Sequence, residues 1–384
     1  MKIGYASRWD PLDKRSWSGT CYYTYQQLQQ QGEVEIFQFK LPKLLQEWMT
    51  TQKSINRRWF KKHTSVEYLD AYARYFSRQL TRALKQRPVD ILFVPASPQL
   101  VAYVKTSIPI IYMTDATFQQ LQGYYPNFSN LANYNRRQGI ALDKKALVNA
   151  AHCMLASDWN KDSAIRDYGI AADAITVAPC GANIDLIPPA EALVPYTDET
   201  FRLLFLGVEW DRKGGDIVLA TFRLLRQKGL KVHLHIIGCV PPEDVSGDAQ
   251  ITVIPFLDKN DPAQLEKLTT ILAGTALLFL PTRAECAGVV FSEAAAWGVP
   301  SLSTDTGGVS TYVRQEWNGR LLPMEAGPAE YAAVIESLYH DRDLFNRLKH
   351  SSRRYFEQKL DWNNWGKQFA AIAEKLLQQS PART

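Results

Sequence analysis

Along the 384 residues, short runs of consecutive apolar positions alternate with longer segments whose apolar positions recur every three or four residues. The runs fit strands covered on both faces, as in a parallel sheet, and the spaced segments fit helices that pack by one stripe. In the first half, 2–5, 34–39, 91–94, 110–113, 152–156 and 175–178 read as strands; in the second half, 202–206, 232–237, 252–254, 276–280 and 301–303 do. Between them, Tyr68 to Lys85 predicts a helix, with Leu69, Tyr72, Ala73, Phe76, Leu80 and Leu84 on one stripe. Strand and helix alternate in both halves, the pattern of doubly wound α/β units. The chain is longer than one hydrophobic core usually serves, so two domains are expected. Pro188-Pro189 through Pro195 interrupts the periodicity and reads as their linker.

The stretch ALLFLPTRAECAGVVFSEAAAWGVPSLSTDTGG, residues 276–308, holds the densest information. It predicts a buried strand ended by Pro281, a loop with Glu285 and Gly288, and a helix over Ser292 to Trp297 stopped by Gly298 and Pro300. A short strand and the turn Gly307-Gly308 follow. In an open parallel sheet, ligands bind beyond the carboxyl ends of the strands, where Glu285, Gly288 and Glu293 fall. Gly288 lets backbone approach a ligand, and unpaired N–H groups at a helix start suit phosphate.

The spacing Glu285-x7-Glu293, with Gly288 between and Gly298-Val299-Pro300 after, resembles the signature of retaining GT-B glycosyltransferases, most like family 4 (glycosyl transferases group 1). The resemblance implies an α/β fold of two Rossmann-like, doubly wound domains facing across a cleft: an acceptor-binding domain at 1–185 and a nucleotide-sugar domain at 186–364. It also implies that the amphipathic C-terminal helix, from about 365 to 384, crosses back to the first domain. By the same resemblance Glu285 contacts the donor sugar, Glu293 binds the ribose, and Ala287, Gly288 and Val289 offer amides to the sugar and diphosphate. LLFLGVEWDRKGGD, Leu203 to Asp216, resembles the family's GRxxxxKG segment, in which an arginine and a lysine neutralise the diphosphate. Gly207 and Lys213 align with it. Val208 stands where the arginine is usual, and Arg212 is the expected replacement.

Trp17-Ser18-Gly19-Thr20 resembles the family's glycine turn, with Gly19 facing the donor phosphate or the acceptor. Thr114-Asp115 stands where relatives carry His-Asp; Asp115 has two open readings, an acceptor-hydroxyl contact or a helix cap. Pro179 to Asp185 resembles the family's interdomain junction, with Cys180 in place of its usual asparagine. Gly307-Gly308 resembles a late turn near the nucleotide, with Ser310 and Thr311 where an acid is usual. The family's implied activity is transfer of a hexose from a nucleotide diphosphate sugar, most often UDP-linked, to a hydroxyl of a saccharide, lipid or small molecule. No cofactor and no metal is expected; Asp341 and Asp343 form a DxD spacing, but in a polar helical region away from the motifs. A nucleotide-sugar epimerase and a non-catalytic sugar-nucleotide-binding protein are the alternatives.

Composition changes the picture only at its edges. Hydrophobic residues at 46% and charged residues at 22% are ordinary for a globular chain. The net charge of +5 does not by itself argue for nucleic acid. Five scattered cysteines, Cys21, Cys153, Cys180, Cys239 and Cys286, predict neither a disulfide framework nor a zinc site. MKIGYASRWD runs straight into a strand with no apolar leader, which together with the cysteines suits the cytoplasm. Charge is uneven, however: Arg57, Arg58, Lys61 and Lys62 surround Trp59 and Phe60. That cluster is either a peripheral contact with anionic lipid or a solvated helix or loop whose aromatics dock on the core. His233 and His235, alternating with apolar residues on an expected strand, read as sheet-face residues rather than ligands.

Overall fold

Two parallel sheets organise the chain, whose computed structural model describes residues 1–379. The first contains β1 (Lys2–Ala6), β2 (Glu33–Phe37), β3 (Ile91–Pro95), β4 (Ile110–Thr114), β5 (His152–Leu155) and β6 (Ile175–Val177), in the order β2-β1-β3-β4-β5-β6. The second contains β7 (Phe201–Leu206), β8 (Val232–Ile237), β9 (Ile251–Ile254), β10 (Leu277–Leu280), β11 (Ser301–Thr304) and β12 (Gly319–Leu322), in the order β12-β11-β10-β7-β8-β9. β3, β4 and β10 are buried along their whole length, which is why they stand out in the sequence as unbroken apolar runs.

The expected strands match to within a residue or two, and β12 is the one the sequence reading lacks. It is a half-buried edge strand of Gly-Arg-Leu-Leu, too short and too polar to form an apolar run. The expected helix at Ser292 starts earlier, at Val289, and ends at Ala296.

In the second sheet the chain leaves β7 toward β8 and β9 on one side, then returns to β10, β11 and β12 on the other. The connections after the neighbouring strands β7 and β10 therefore diverge to opposite flanks, opening a crevice at their carboxyl ends. β1 and β3 are the corresponding pair of the first sheet.

The chain divides into two units, one of Met1–Ala178 with the residues from Trp365, the other of Pro179–Asn364. Residues 179–185, placed with the first domain from sequence, pack in the second unit. The Cys180 N–H donates to the Tyr312 hydroxyl at 2.9 Å, and the Ser292 hydroxyl donates to the Cys180 carbonyl at 2.8 Å. Asn183 accepts from the Trp362 indole at 3.0 Å. The proline segment read as a linker also lies within this unit, its end tied down where the Tyr196 N–H donates to Asn346 at 2.8 Å.

The C-terminal helix Trp362–Gln379 supplies part of the first unit's core, while residues 380–384 of the expected segment lie outside the described residues. Trp365 is fully buried, edge-on to Phe93 with ring centroids 5.4 Å apart and stacked on Phe369. Truncating so large a buried side chain leaves a cavity that collapses only partly. Trp365→Ala is therefore expected to destabilise the first unit by about 3–5 kcal/mol, read as a drop in the urea midpoint.

His233 and His235 sit side by side on β8, ring centroids 4.6 Å apart, and His233 pairs with the Thr252 hydroxyl. Burial lowers His235 from its ordinary 6.5 to about 4, with His233 as the next cause. Its Nδ1 is enclosed without a hydrogen-bond partner among the described residues, so a proton added there is poorly solvated. Between pH 6.5 and 4 the unfolded chain binds this proton and the folded one does not, so stability falls as pH is lowered through that window. His235→Leu should flatten this part of the fall, measured as unfolding midpoints from neutral pH down to pH 4.

Candidate functional site

The loop after β7 and the loop after β10 meet, and the functional side chains expected on them meet with them. Gly207 follows β7, and a Cβ there would fall 2.9 Å from the Lys213 Cγ, so the lysine stem lies flat against the strand's end. Lys213 is buried, and its ammonium donates to the Glu285 carboxylate. The Arg212 guanidinium lies 3.6 Å from the same carboxylate oxygen. It also donates to the Ala284 carbonyl at 2.7 Å and pairs with Glu209. Two cations thus converge on one buried acid. Val208, at the position usual for the family arginine, is 64% exposed, whereas Arg212 is drawn into the cluster.

The loops are joined through backbone as well. The Arg283 N–H donates to the Arg212 carbonyl at 2.8 Å, and the Arg283 guanidinium holds both oxygens of Asp216 at 2.9 and 2.7 Å. That pairing keeps the Asp216 carboxyl below its ordinary range. On the far side, the Gly308 N–H donates to the Glu285 carbonyl at 3.0 Å, which brings the Gly307-Gly308 turn onto the same loop. Gly288 caps the helix Val289–Ala296 in the left-handed region, φ +75°, and a Cβ there would sit 2.6 Å from the Phe291 ring. Ala287 is buried beside it, and Val289 is the first residue of the helix.

Glu293 lies one turn into that helix and is buried. Burial pushes its carboxyl above the ordinary range, opposed by the Lys259 ammonium and by an N–H of Asn183. Lys259 ion-pairs with it from the segment after β9. Lys259, Arg283 and Asn183 are polar neighbours of the site that the sequence reading did not assign to it. Nothing local marks Lys259, a lysine in a polar loop; β9 and β10 are not neighbours in the sheet, and the segment after β9 reaches Glu293 only in the folded unit.

The remaining expected residues belong to the first unit. Gly19 caps α1 (Thr20–Gln29) with φ +94°, after Trp17 and Ser18, both also left-handed at φ +47° and +57°. Two such non-glycine residues in succession store strain of about 1–3 kcal/mol each, which is found mostly at functional loops. Thr114 is buried at the end of β4; its hydroxyl donates to the Ala116 carbonyl at 3.0 Å and its carbonyl accepts from Asn160 at 2.8 Å. The helix-cap reading of Asp115 is corrected. The next helix, Phe118–Leu121, is capped by Thr117 in a capping box with Gln120. Asp341 of the DxD pair caps the helix Arg342–Tyr355 through the Leu344 N–H. Among the described residues, no three His, Cys, Asp or Glu side chains gather as metal ligands would. None of the five cysteines is in a disulfide.

Comparison with known proteins agrees with this geometry. Residues 200–341, which span β7 to β12, match the family described as Glycosyl transferases group 1. The D-inositol 3-phosphate glycosyltransferase of Streptomyces bingchenggensis is 25% identical over 251 residues, covering 61% of this chain and 54% of that one. The chain spans about half the length of the first curated relatives it matches. Among solved structures, sucrose-phosphate synthase of Thermosynechococcus elongatus superposes with a TM-score of 0.68 at 16% identity, over 99% of this chain and 100% of that one. The Anabaena protein HepE, solved in complex with UDP, superposes with a TM-score of 0.62 at 14% identity, over 98% and 100%. The second unit thus matches the group 1 glycosyl transferases over residues 200–341, and the chain shares the GT-B fold of these solved structures.

Proposed function

We propose that the chain is a retaining hexosyltransferase that moves a hexose from a UDP-linked donor to a hydroxyl acceptor. The observation that carries this reading is the convergence of Lys213 and Arg212 on Glu285 at the carboxyl ends of β7 and β10. A diphosphate needs positive charge as it leaves, and charge-assisted hydrogen bonds from two cations supply it. Glu285 is left to hold the sugar's hydroxyls, and Glu293 the ribose. The acceptor hydroxyl attacks the anomeric carbon on the face from which the diphosphate departs, and a phosphate oxygen takes its proton. The protein's share is positioning and electrostatics. Gly19 and Asp115 of the first unit are the proposed donor-phosphate and acceptor contacts. No metal or further cofactor is invoked, and the proposed setting is cytoplasmic. HepE, which resembles this chain in fold, is solved with UDP-glucose, and this supports a UDP-linked donor.

The test begins with unfolding midpoints in the presence of UDP- and GDP-linked hexoses. A ligand bound only by the folded state stabilises it by about 2.7 kcal/mol at a hundredfold excess over Kd, and a UDP-hexose is expected to do so. The stabilising donor is then incubated with saccharide, lipid and small hydroxyl acceptors while free UDP and product are measured. UDP release that requires an acceptor supports transfer. Epimerised donor, or tight binding with no turnover on any acceptor, would replace the reading by an epimerase or a binding protein. No shift with any nucleotide sugar would remove it altogether.

A further inference from the structure

The cluster of basic and aromatic residues belongs to helix α2 (Lys43–Trp59) of the first unit. Leu44, Trp48, Ile55 and Trp59 are spaced by 4, 7 and 4 residues, which puts them within about 60° of one another around a helix of 3.6 residues per turn. All four face solvent: they are 81, 47, 41 and 76% exposed, and Phe60, next in the chain, is 66% exposed. A stripe of this length and exposure is more than the scattered apolar residues of an ordinary surface.

A second face of α2, about 100° around the helix from the stripe, is held down. Met49 and Asn56, seven residues apart, are its buried positions. The Asn56 side chain donates to the Thr64 hydroxyl at 2.8 Å and to the Tyr134 hydroxyl at 2.6 Å. Lys61 then turns left-handed, φ +48°, and its carbonyl accepts from Asn130 at 2.8 Å. The chain reverses there, so Trp59 and Phe60 stand at the end of an anchored helix. The aromatics do not dock on the core.

We infer that α2 lies along an anionic membrane surface, with the stripe at the level of the headgroups and upper acyl chains. The commitment to lipid comes from charge. Arg58 borders the stripe, and Lys53, Arg57, Lys61 and Lys62 add positive charge to the same segment, with Glu47 as the acid on the helix itself. Each basic residue near an anionic bilayer adds attraction, while their stems and the stripe enter the interface. A second copy of the chain packed symmetrically on this face would set one basic segment against another. A nucleic acid would leave Leu44 and Ile55 without an apolar partner. Among the described residues no helix is long and apolar enough to cross a membrane, so the contact is peripheral.

The experiment is flotation of the full chain with vesicles of phosphatidylcholine alone or mixed with phosphatidylglycerol, at low and high salt. Partition is expected into the mixed vesicles and to weaken with salt. It is expected to fall more than tenfold in the triple variant Lys53→Gln, Arg57→Gln, Arg58→Gln, and in the double variant Trp59→Ser, Phe60→Ser. These positions are exposed, and unchanged circular dichroism and melting midpoint confirm that both variants fold. Absence of partition, equal partition into both vesicle types, or insensitivity to both variants overturns the inference. So does light scattering that finds a dimer dissolved by the double variant without vesicle binding, or retention on duplex DNA abolished by the triple variant without vesicle binding.

Discussion

Lys213→Ala is expected to lower sugar transfer by at least about a hundredfold, the loss that follows removal of one group stabilising a developing negative charge. Its ammonium is held buried on Glu285, with the Gly207 backbone against its stem. Arg212 reaches the same carboxylate from 3.6 Å and retains part of the charge, which bounds the loss. Lys213→Arg keeps the charge but puts a planar, wider head where a compact ammonium meets Glu285, and is expected to recover only part of the rate. Glu285→Ala removes the other half of the pair and is expected to fall by a similar factor. The readout is kcat at saturating donor, with nucleotide affinity measured separately by calorimetry. Near-normal turnover in both purified alanine variants would dismantle the assignment of this cluster to the donor.

Gly214→Ala is expected to be among the most destabilising single exchanges, at about 3 kcal/mol or more. Gly214 caps the helix Gly215–Gln227 at φ +75°, and an added Cβ would fall 2.1 Å from the Pro281 carbonyl oxygen. Both obstacles are backbone: the left-handed conformation costs a side chain about 1–3 kcal/mol, and the overlap forces the loop after β10 away from the loop after β7. Gly229 is the control. Its φ is +81°, but nothing lies within 4 Å of its added Cβ, so Gly229→Ala should cost only the conformational part, about 1 kcal/mol. Equal urea midpoints for the two variants would show that the close approach to Pro281 does not matter. Since that approach joins Lys213 to Glu285, Gly214→Ala should also depress transfer in the fraction that remains folded.

Much of the site was legible residue by residue. Glu285, Gly288, Glu293, Gly207 and Lys213 stand at strand ends and helix starts that the apolar runs reveal, because strands buried on both faces need uninterrupted hydrophobicity. The edge strand β12 escaped for the converse reason: one side faces solvent, and Arg320 and Gly319 dilute its pattern. The helix start at Val289 escaped because Val289, Val290 and Phe291 have weak helix propensity, and packing against the sheet overrides it. At Asp115 the sequence left a cap as one of two readings, and the capping box of Thr117 with Gln120 takes that place two residues later.

By itself, then, the sequence determined the alternation of strands and helices, the two sheets, and the identity of the charged and glycine residues at their carboxyl ends. These are consequences of local periodicity and backbone sterics, which each segment carries with it. Only the tertiary structure decided the partners. Lys213 and Glu285 are 72 residues apart, and Lys259 and Glu293 are 34 apart; the first pair meets because β7 and β10 are neighbouring strands, the second because the segment after β9 reaches the helix after β10. The tertiary structure likewise decided that residues 179–185 belong with the second unit and that the stripe of α2 faces solvent. Long-range contacts of this kind depend on which surfaces compete for burial across the whole fold, and no local pattern records that competition.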